Sequence, residues 1–448
     1  MKILFFSLGC DKNLVDSEVM LGLLTKNGYT LTDDETQADV IVINTCCFIH
    51  DAKEESINTI LEMAQYKEQN LKALVVTGCL AERYKDEILK EIPEIDAVLG
   101  TTSYDSIVEA VNMALAENAG EHFEHYESID YLPDNSEVER VVTTGNHMAY
   151  LKIAEGCDKR CSYCIIPKIR GHFRSVPMEE LLNEAKRLAS EGVKELVLVA
   201  QETTLYGKDL TGEKQLPLLL HELCKIEGIE WIRLLYCYPE EITDELIEAI
   251  KTEEKVCNYI DMPIQHSENR ILQRMGRRTS REDLVAVIKK LRQEIPDITI
   301  RTTLITGFPG ESEEDHEGLM NFVEECKFDR LGVFTYSPEE DTLAATFEDQ
   351  IDEEVKEARR DELMSLQQEI SYEHTQQLVG KTIKVMVEGY LFEDDIYVGR
   401  SYMDAPKVDG CVFINSPEEL MTGDFVYVKI TQGREYDVIG EVDYEFTK

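Results

Sequence analysis

The sequence predicts an α/β chain in three parts: an N-terminal open parallel α/β sheet domain, a central partial (βα)6 barrel and a small C-terminal β-barrel. Three observations carry this. Apolar strand-like runs alternate with amphipathic segments over residues 1–117, the pattern of a parallel sheet with helices on both faces. The alternation resumes near residue 149 for six further βα units, with no Gly-rich nucleotide fingerprint among them. From about His374 onward, short β-branched and aromatic runs are separated by Gly and Asp turns, which fits a small closed barrel. The length, 448 residues, exceeds what one hydrophobic core serves. The expected boundaries are 1–117, a linker over 118–142, 143–373 and 374–448.

Taken in order, strands are expected at 2–8, 39–44, 72–77 and 96–99. The helices between and after them are expected at 14–26, 52–66, 83–91 and 104–116. Asn27-Gly28 ends the first helix and Pro93 stops the third. Residues 118–147 are polar and acidic with weak periodicity, which reads as a linker or irregular hairpin, and His122 and His125 as its solvated side chains. Barrel strands are expected at 149–154, 194–201, 231–237, 258–263, 298–306 and 330–336, with helices between them such as 178–190 and 281–294. Residues 351–374 form one charged amphipathic helix, a connector lying across the barrel. In the last part, runs beginning near Ile383, Ile396, Gly410 and Phe425 suggest five strands.

Chemistry concentrates in the cysteines. Cys157-Asp-Lys-Arg-Cys161-Ser-Tyr-Cys164 is a C-x3-C-x2-C run directly after the first barrel strand. Three thiolates within eight residues can wrap one four-iron four-sulfur cluster and leave its fourth iron open. A structural zinc site would want four ligands, commonly paired C-x2-C knuckles, and the chain has no second C-x2-C pair. Cys10, Cys46 and Cys79 each follow one of the first three strands, at spacings of 36 and 33 residues. Loops at the carboxyl ends of parallel strands gather on one edge, so these thiols are expected to meet there and hold a second cluster. Cys47 is an ambiguous neighbour, and Cys46 matches the other two strand-end positions. Cys47, Cys224, Cys237, Cys257, Cys326 and Cys411 read as small buried hydrophobes. Gln201 and Glu202 end the second barrel strand, and Gly307 and Gly310 end the fifth, at the barrel edge where ligands bind.

The net charge is −43, from 46 basic and 89 acidic residues. Such a surface repels nucleic-acid phosphates and favours a basic partner. Residues 375–448 alone carry 14 acidic and 7 basic side chains, whereas an RNA-binding barrel should be basic with exposed aromatics. The chain has no long uninterrupted apolar stretch, so no membrane span is expected, and the first apolar run is too short for a signal peptide. Twelve cysteines without an export signal point to a reducing, cytoplasmic setting.

The C-x3-C-x2-C run, with Tyr163 just before its last cysteine, resembles the signature of radical S-adenosylmethionine (SAM) enzymes. That resemblance implies that SAM binds at the open iron, with Gln201, Glu202, Gly307 and Gly310 as SAM contacts. Over its whole length the chain resembles the methylthiotransferases, and its last part resembles their TRAM domain. Ser7-Leu-Gly-Cys10-Asp-Lys-Asn13 through Glu18 looks like the branch that modifies an aspartate of ribosomal protein S-twelve, with Asp11 in place of the usual proline. Glu155-Gly-Cys157 through Gly171 and Ala200-Gln201-Glu202-Thr-Thr204 look like the same branch, with Glu202 for the usual Asp.

The resemblance implies two 4Fe-4S clusters and two uses of SAM. It further implies addition of a methylthio group to an aspartate β-carbon, and an electron donor such as flavodoxin or ferredoxin. It identifies no general acid or base. The tRNA-adenosine branch is the competing reading, and a non-catalytic iron–sulfur electron carrier is one of another class.

Overall fold

The computed structural model describes residues 1–445 apart from 86, 117–121 and 137. Its first part runs β1 (Lys2–Ser7), α1 (Asp11–Lys26), β2 (Thr30–Leu31), β3 (Val40–Thr45), α2 (His50–Ala64), β4 (Ala73–Gly78), α3 (Cys79–Arg83), α4 (Ile88–Glu91), β5 (Ala97–Leu99), α5 (Ile107–Ala114) and β6 (Phe123–His125). The sheet is wholly parallel, in the order β2-β1-β3-β4-β5-β6. β3 and β4 are buried at every position, so their sequences are near-continuous apolar runs rather than alternating ones.

Three expectations need correction here. α1 starts at Asp11, not at 14, because Cys10 is extended and caps it, and the polar residues 11–13 are taken up by contacts across the fold. The helix expected over 83–91 is instead two short ones, α3 and α4. Residues 123–125 are no linker: they pair in parallel with β5 as a sixth strand, Ala97 opposite Phe123 and Leu99 opposite His125. Three residues are too few to show a period. Residues 118–121 and 137 of the expected linker lie outside the described residues.

The second part runs β7 (Met148–Lys152), β8 (Ala154–Glu155), α6 (Ile166–Ile169), β9 (Arg174–Ser175), α7 (Met178–Ser190), β10 (Glu195–Val199), α8 (Lys208–Thr211), α9 (Leu216–Cys224), β11 (Trp231–Leu234), α10 (Asp244–Thr252), β12 (Val256–Asp261), α11 (Asn269–Arg274), α12 (Arg281–Glu294), β13 (Thr299–Thr306), α13 (Glu313–Cys326) and β14 (Arg330–Thr335). Six strands form an open parallel sheet, β14-β13-β12-β11-β10-β7. α12 and α13 each start with a capping box, Ser280 with Asp283 and Ser312 with Asp315, which satisfies two otherwise orphaned backbone donors. The first expected strand breaks at Ile153, and β8 turns away to pair with β9 as a separate ribbon.

The third part is α14 (Glu353–Gln376) followed by β15 (Thr382–Leu391), β16 (Ile396–Ser401), β17 (Val412–Asn415), β18 (Phe425–Gly433) and β19 (Val438–Val442). The five strands close into a barrel, β15-β16-β17-β19-β18. Leu363 and Ile370 of α14 join the core of the central sheet, as expected of a connector.

An open six-stranded sheet leaves one apolar face without helices. Here Tyr150, Val197, Val199, Trp231 and Tyr259 on that face are covered by Leu14 and Val15 of α1 and by Met386, Ala405 and Phe425 of the terminal barrel. One apolar cluster thus ties all three parts together. An ion pair reinforces it: Glu195, fully buried, takes Arg233 Nε at 2.8 Å and Arg400 Nη2 at 2.6 Å. Burial pushes the Glu195 carboxyl up, but the two guanidiniums outweigh it and hold it at about 2.

A carboxylate depressed in this way stabilises the fold above its unfolded value of 4.5 and loses that contribution as pH falls toward 2. Chemical denaturation should therefore show stability falling across this window. The Glu195→Gln variant should start about 3–5 kcal/mol lower at neutral pH, because two buried cations lose their counter-charge, and should show less acid dependence. Equal stability of the two proteins at neutral pH would refute the assignment.

Candidate cluster sites and the buried bridge between them

The three N-terminal cysteines stand at the carboxyl edge of their sheet. Cys10 caps α1 after β1, Cys46 follows β3, and Cys79 opens α3 directly after β4. Gly9, at φ +85°, makes the approach possible: a Cβ there would lie 2.6 Å from Cys46 Cβ and 2.8 Å from its Sγ. Polar side chains fix the loops. Asn13 Nδ2 donates to the carbonyls of Leu8 and Thr45, both at 2.9 Å, and Ser56 Oγ donates to the Cys46 carbonyl at 2.8 Å. Cys46 and Cys79 are buried and Cys10 is exposed. Burial pushes the Cys46 and Cys79 thiols up, the nearby Cys10 adds to this, and Arg170 opposes it. Cys47 is fully buried in the apolar core beside them.

The second trio sits on the loop after β8. Gly156, at φ +76°, lets that loop pass against the carbonyls of Gly171 and His172, and Cys157 N donates to the Gly171 carbonyl at 3.1 Å. Ser162 clamps the loop from three sides. Its N donates to Met275 O at 2.9 Å, its Oγ to Arg274 O at 2.8 Å, and its carbonyl accepts from Ala344 N at 2.8 Å. Burial pushes the Cys157 thiol up to about 12 and raises Cys164, with the neighbouring thiols adding to each.

Three thiols from one tight loop, and three from separate loops backed by a guanidinium, suit anionic iron–sulfur clusters bound through thiolates. Ligation then has to displace protons. No group of three or more His, Cys, Asp or Glu among the described residues is drawn in around a single-ion position.

A buried charge network joins the two trios. Arg170, after α6, reaches Asp16 at 2.8 Å and Glu155 at 3.1 Å through Nη1. Through Nη2 it reaches Asn13 Oδ1 and, at 3.6 Å, Cys79 Sγ. Lys152 bonds the same two carboxylates, at 2.9 Å for Glu155. The two charges of each sign are buried. Glu155 lies two residues before Cys157, so a few side chains connect one cysteine loop to the other. Sequence reasoning missed all four. The available signal was two charges, Lys152 and Glu155, flanking an otherwise apolar strand end.

The other predicted residues divide. Gln201 Nε2 donates to Glu155 Oε1 at 2.6 Å, and its Oε1 is buried without a partner. Glu202 is fully buried; it accepts from Thr204 N at 3.0 Å and lies 3.6 Å from Lys159 Nζ. Burial raises it to about 7. Gly307 and Gly310 have φ +68° and +81°, and a Cβ at either would strike Lys356 or Asp349. The chain's own crowding accounts for both glycines. Their turn still borders the cysteine loop, since Phe308 packs edge-on against Tyr163 at 6.5 Å. Arg277, not anticipated, lies buried with its guanidinium 4.4 Å from the Tyr238 ring centroid and with Nε and Nη1 unpartnered. Unpartnered buried polar atoms of this kind fit a polar ligand such as SAM.

Three family models match successive stretches of the chain: residues 2–100 the "Uncharacterized protein family UPF0004", 151–323 the "Radical SAM superfamily" and 379–442 the "TRAM domain". The fold agrees with that of a radical SAM methyltransferase, TsrM from Kitasatospora setae. The TM-score is 0.55 at 13% identity, covering 85% of this chain and 78% of that one. The protein is thus a radical SAM enzyme with an added cysteine-bearing sheet and a TRAM barrel.

Full-length relatives narrow the class. The chain is 62% identical over 99% of its length to the ribosomal protein uS12 methylthiotransferase RimO of Lachnoclostridium phytofermentans, covering all of that protein. It is 51% identical over its whole length to the RimO of Acetivibrio thermocellus, covering 99% of it. The chain belongs to the RimO family of ribosomal protein uS12 methylthiotransferases.

Proposed function

We propose that the protein transfers a methylthio group to the β-carbon of an aspartate in ribosomal protein uS12, using both cysteine trios. The observation that carries this reading is the bridge of Asp16, Arg170 and Glu155, which links the Cys79 end of the N-terminal trio to the start of the Cys157 loop in a chain of this family. When bound, a 4Fe-4S cluster on Cys157, Cys161 and Cys164 with SAM supplies the one-electron chemistry that removes hydrogen from an unactivated carbon, and a second cluster on Cys10, Cys46 and Cys79 supplies the sulfur.

The chain's own residues do the rest. Arg170 and Lys152 hold Asp16 and Glu155, and so set the distance between the loops. Glu155 in turn orients Gln201 through a 2.6 Å hydrogen bond, leaving Gln201 Oε1 to face SAM. The turn over 307–310 borders the SAM region through Phe308, which packs against Tyr163 of the cysteine loop. Burial of Asn13, Asp16, Glu155 and Arg170 keeps water from the seam, which protects a reactive carbon from side reactions. The acidic surface suits a basic ribosomal protein, free or in the small subunit. A small electron-transfer protein such as flavodoxin or ferredoxin, in the cytoplasm, completes the system. No helix among the described residues is long and apolar enough to cross a membrane.

Mass spectrometry of ribosomal proteins from a strain lacking this gene tests the proposal. One uS12 aspartate should lose its methylthio increment and regain it on complementation. An unchanged uS12 together with an altered tRNA nucleoside would overturn it.

A further inference from the structure

We propose that Lys12 grips the carboxylate of the substrate aspartate and so sets the enzyme's preference for an acidic residue; this rests on the reading of the reaction given above. The carbon that receives sulfur is one bond from that carboxylate. Once the carbon reaches the N-terminal trio, its carboxylate lies within a few ångströms of the Cys10 loop. A carboxylate taken out of water there needs a cation with spare hydrogen-bonding capacity.

Most buried cations near the seam are committed. Arg170 and Lys152 serve Asp16 and Glu155. Lys159 serves Glu202, Glu240 and Glu241. Arg301 serves Asp261 and Asp409. Arg277 belongs to the other cysteine loop, against Tyr238. Lys12, two residues after Cys10, is only 5% exposed and makes no ion pair among the described residues. Its ammonium rests instead 3.3 Å from the centroid of the Tyr236 ring. Tyr236 follows β11 at the barrel mouth, so Lys12 spans the gap between the two domains.

Tyr236 also keeps Lys12 from a direct bond to its neighbour. The adjacent Asp11 is the obvious counter-ion, yet the Tyr236 hydroxyl donates to Asp11 Oδ2 at 3.1 Å. One ring thus presents its face to the cation and its hydroxyl to the anion. The backbone is strained to do so: Tyr236 has φ +60°, a left-handed conformation that an aromatic residue adopts only when its surroundings enforce it. Its N–H donates to Asp261 Oδ2 at 3.0 Å and its carbonyl accepts from Thr203 N at 3.1 Å. A cation seated on a π face, with no carboxylate bonded to it directly, gives way to an incoming carboxylate, because the charge-assisted hydrogen bond is the stronger of the two interactions.

The test uses reconstituted holoenzyme with SAM, dithionite, purified uS12 and uS12 carrying Asp→Asn at the target. The wild type should prefer the aspartyl protein by at least about a hundredfold in kcat/KM, the discrimination expected of a site built around a charged hydrogen bond. In Lys12→Met the KM for aspartyl uS12 should rise by about tenfold or more, and the preference should collapse. Lys12→Arg should retain most of it. Tyr236→Phe, which frees Asp11 to pair with Lys12, should reduce it.

Iron content and circular dichroism monitor the fold. If Lys12→Met loses iron, Lys12→Arg and Tyr236→Phe decide the matter: a preference kept in the first and reduced in the second supports the assignment, and any other pattern overturns it. Discrimination unchanged in an iron-replete Lys12→Met also overturns it. A wild type that leaves aspartyl uS12 unmodified would instead overturn the proposed reaction itself.

Discussion

Replacing Cys161 with alanine should abolish reductive cleavage of SAM, whereas replacing Cys79 should spare that cleavage and abolish methylthio transfer. The two effects separate because the thiols belong to different loops on different sheets. Each variant should lose about four irons per chain after anaerobic reconstitution. Iron assay, chromatography of 5′-deoxyadenosine and mass spectrometry of uS12 read the three quantities independently. Cys47→Ala provides the contrast. Cys47 is wholly buried in an apolar cluster, whereas Cys46 Sγ faces the Gly9–Cys10 loop, so loss of Cys47 should leave iron content and product formation near wild type. Full product from Cys79→Ala would remove the second cluster from the mechanism, and full loss of iron from Cys47→Ala would exchange the roles of the two neighbours.

The parts of the site that follow from local spacing were legible in the sequence. Cys157, Cys161 and Cys164 lie on one loop, so their proximity follows from spacing alone. Cys10, Cys46 and Cys79 were legible through the βα repeat, because parallel strands place their carboxyl ends on one edge. What stayed hidden was whatever depends on how the parts dock. Asp16, Lys152, Glu155 and Arg170 come from three separate segments, and strand or helix periodicity carries no information about a polar side chain that is buried by a neighbouring domain. The start of α1 was misplaced for the same reason: Asp11 and Lys12 look like loop residues, yet one is held by the Tyr236 hydroxyl and the other packs on its ring. Gly307 and Gly310 were correctly placed at the barrel edge, but their glycine character answers to Lys356 and Asp349, partners more than thirty residues away. The edge strand β6 and the last barrel strand β19 are too short, at three and five residues, to announce themselves by alternation.

Arg170→Met should be strongly destabilising, on the scale of Glu195→Gln. Buried ion pairs add little net stability when intact, but removing one partner leaves uncompensated charge and costs about 3–5 kcal/mol. Here one guanidinium serves two carboxylates and an amide and touches Cys79 Sγ, so its loss leaves Lys152 alone between Asp16 and Glu155. Burial pushes the Glu155 carboxyl up, and Lys152 and Arg170 together hold it well below the ordinary carboxylate range. In the wild type this contribution is present above pH 4.5, the unfolded value, and is lost as pH falls through the depressed one. With Arg170 gone the folded value rises, so acid unfolding should begin at a higher pH, and the gap between variant and wild type should narrow as Glu155 protonates. Arg170→Lys should recover only part of the loss, since one ammonium lacks the planar fork that reaches several acceptors at once. Guanidinium denaturation at pH 7 and pH 4 measures both effects. A variant within about 1 kcal/mol of wild type at pH 7, the range of ordinary substitutions, would mean that the two cysteine loops are held together by apolar packing alone.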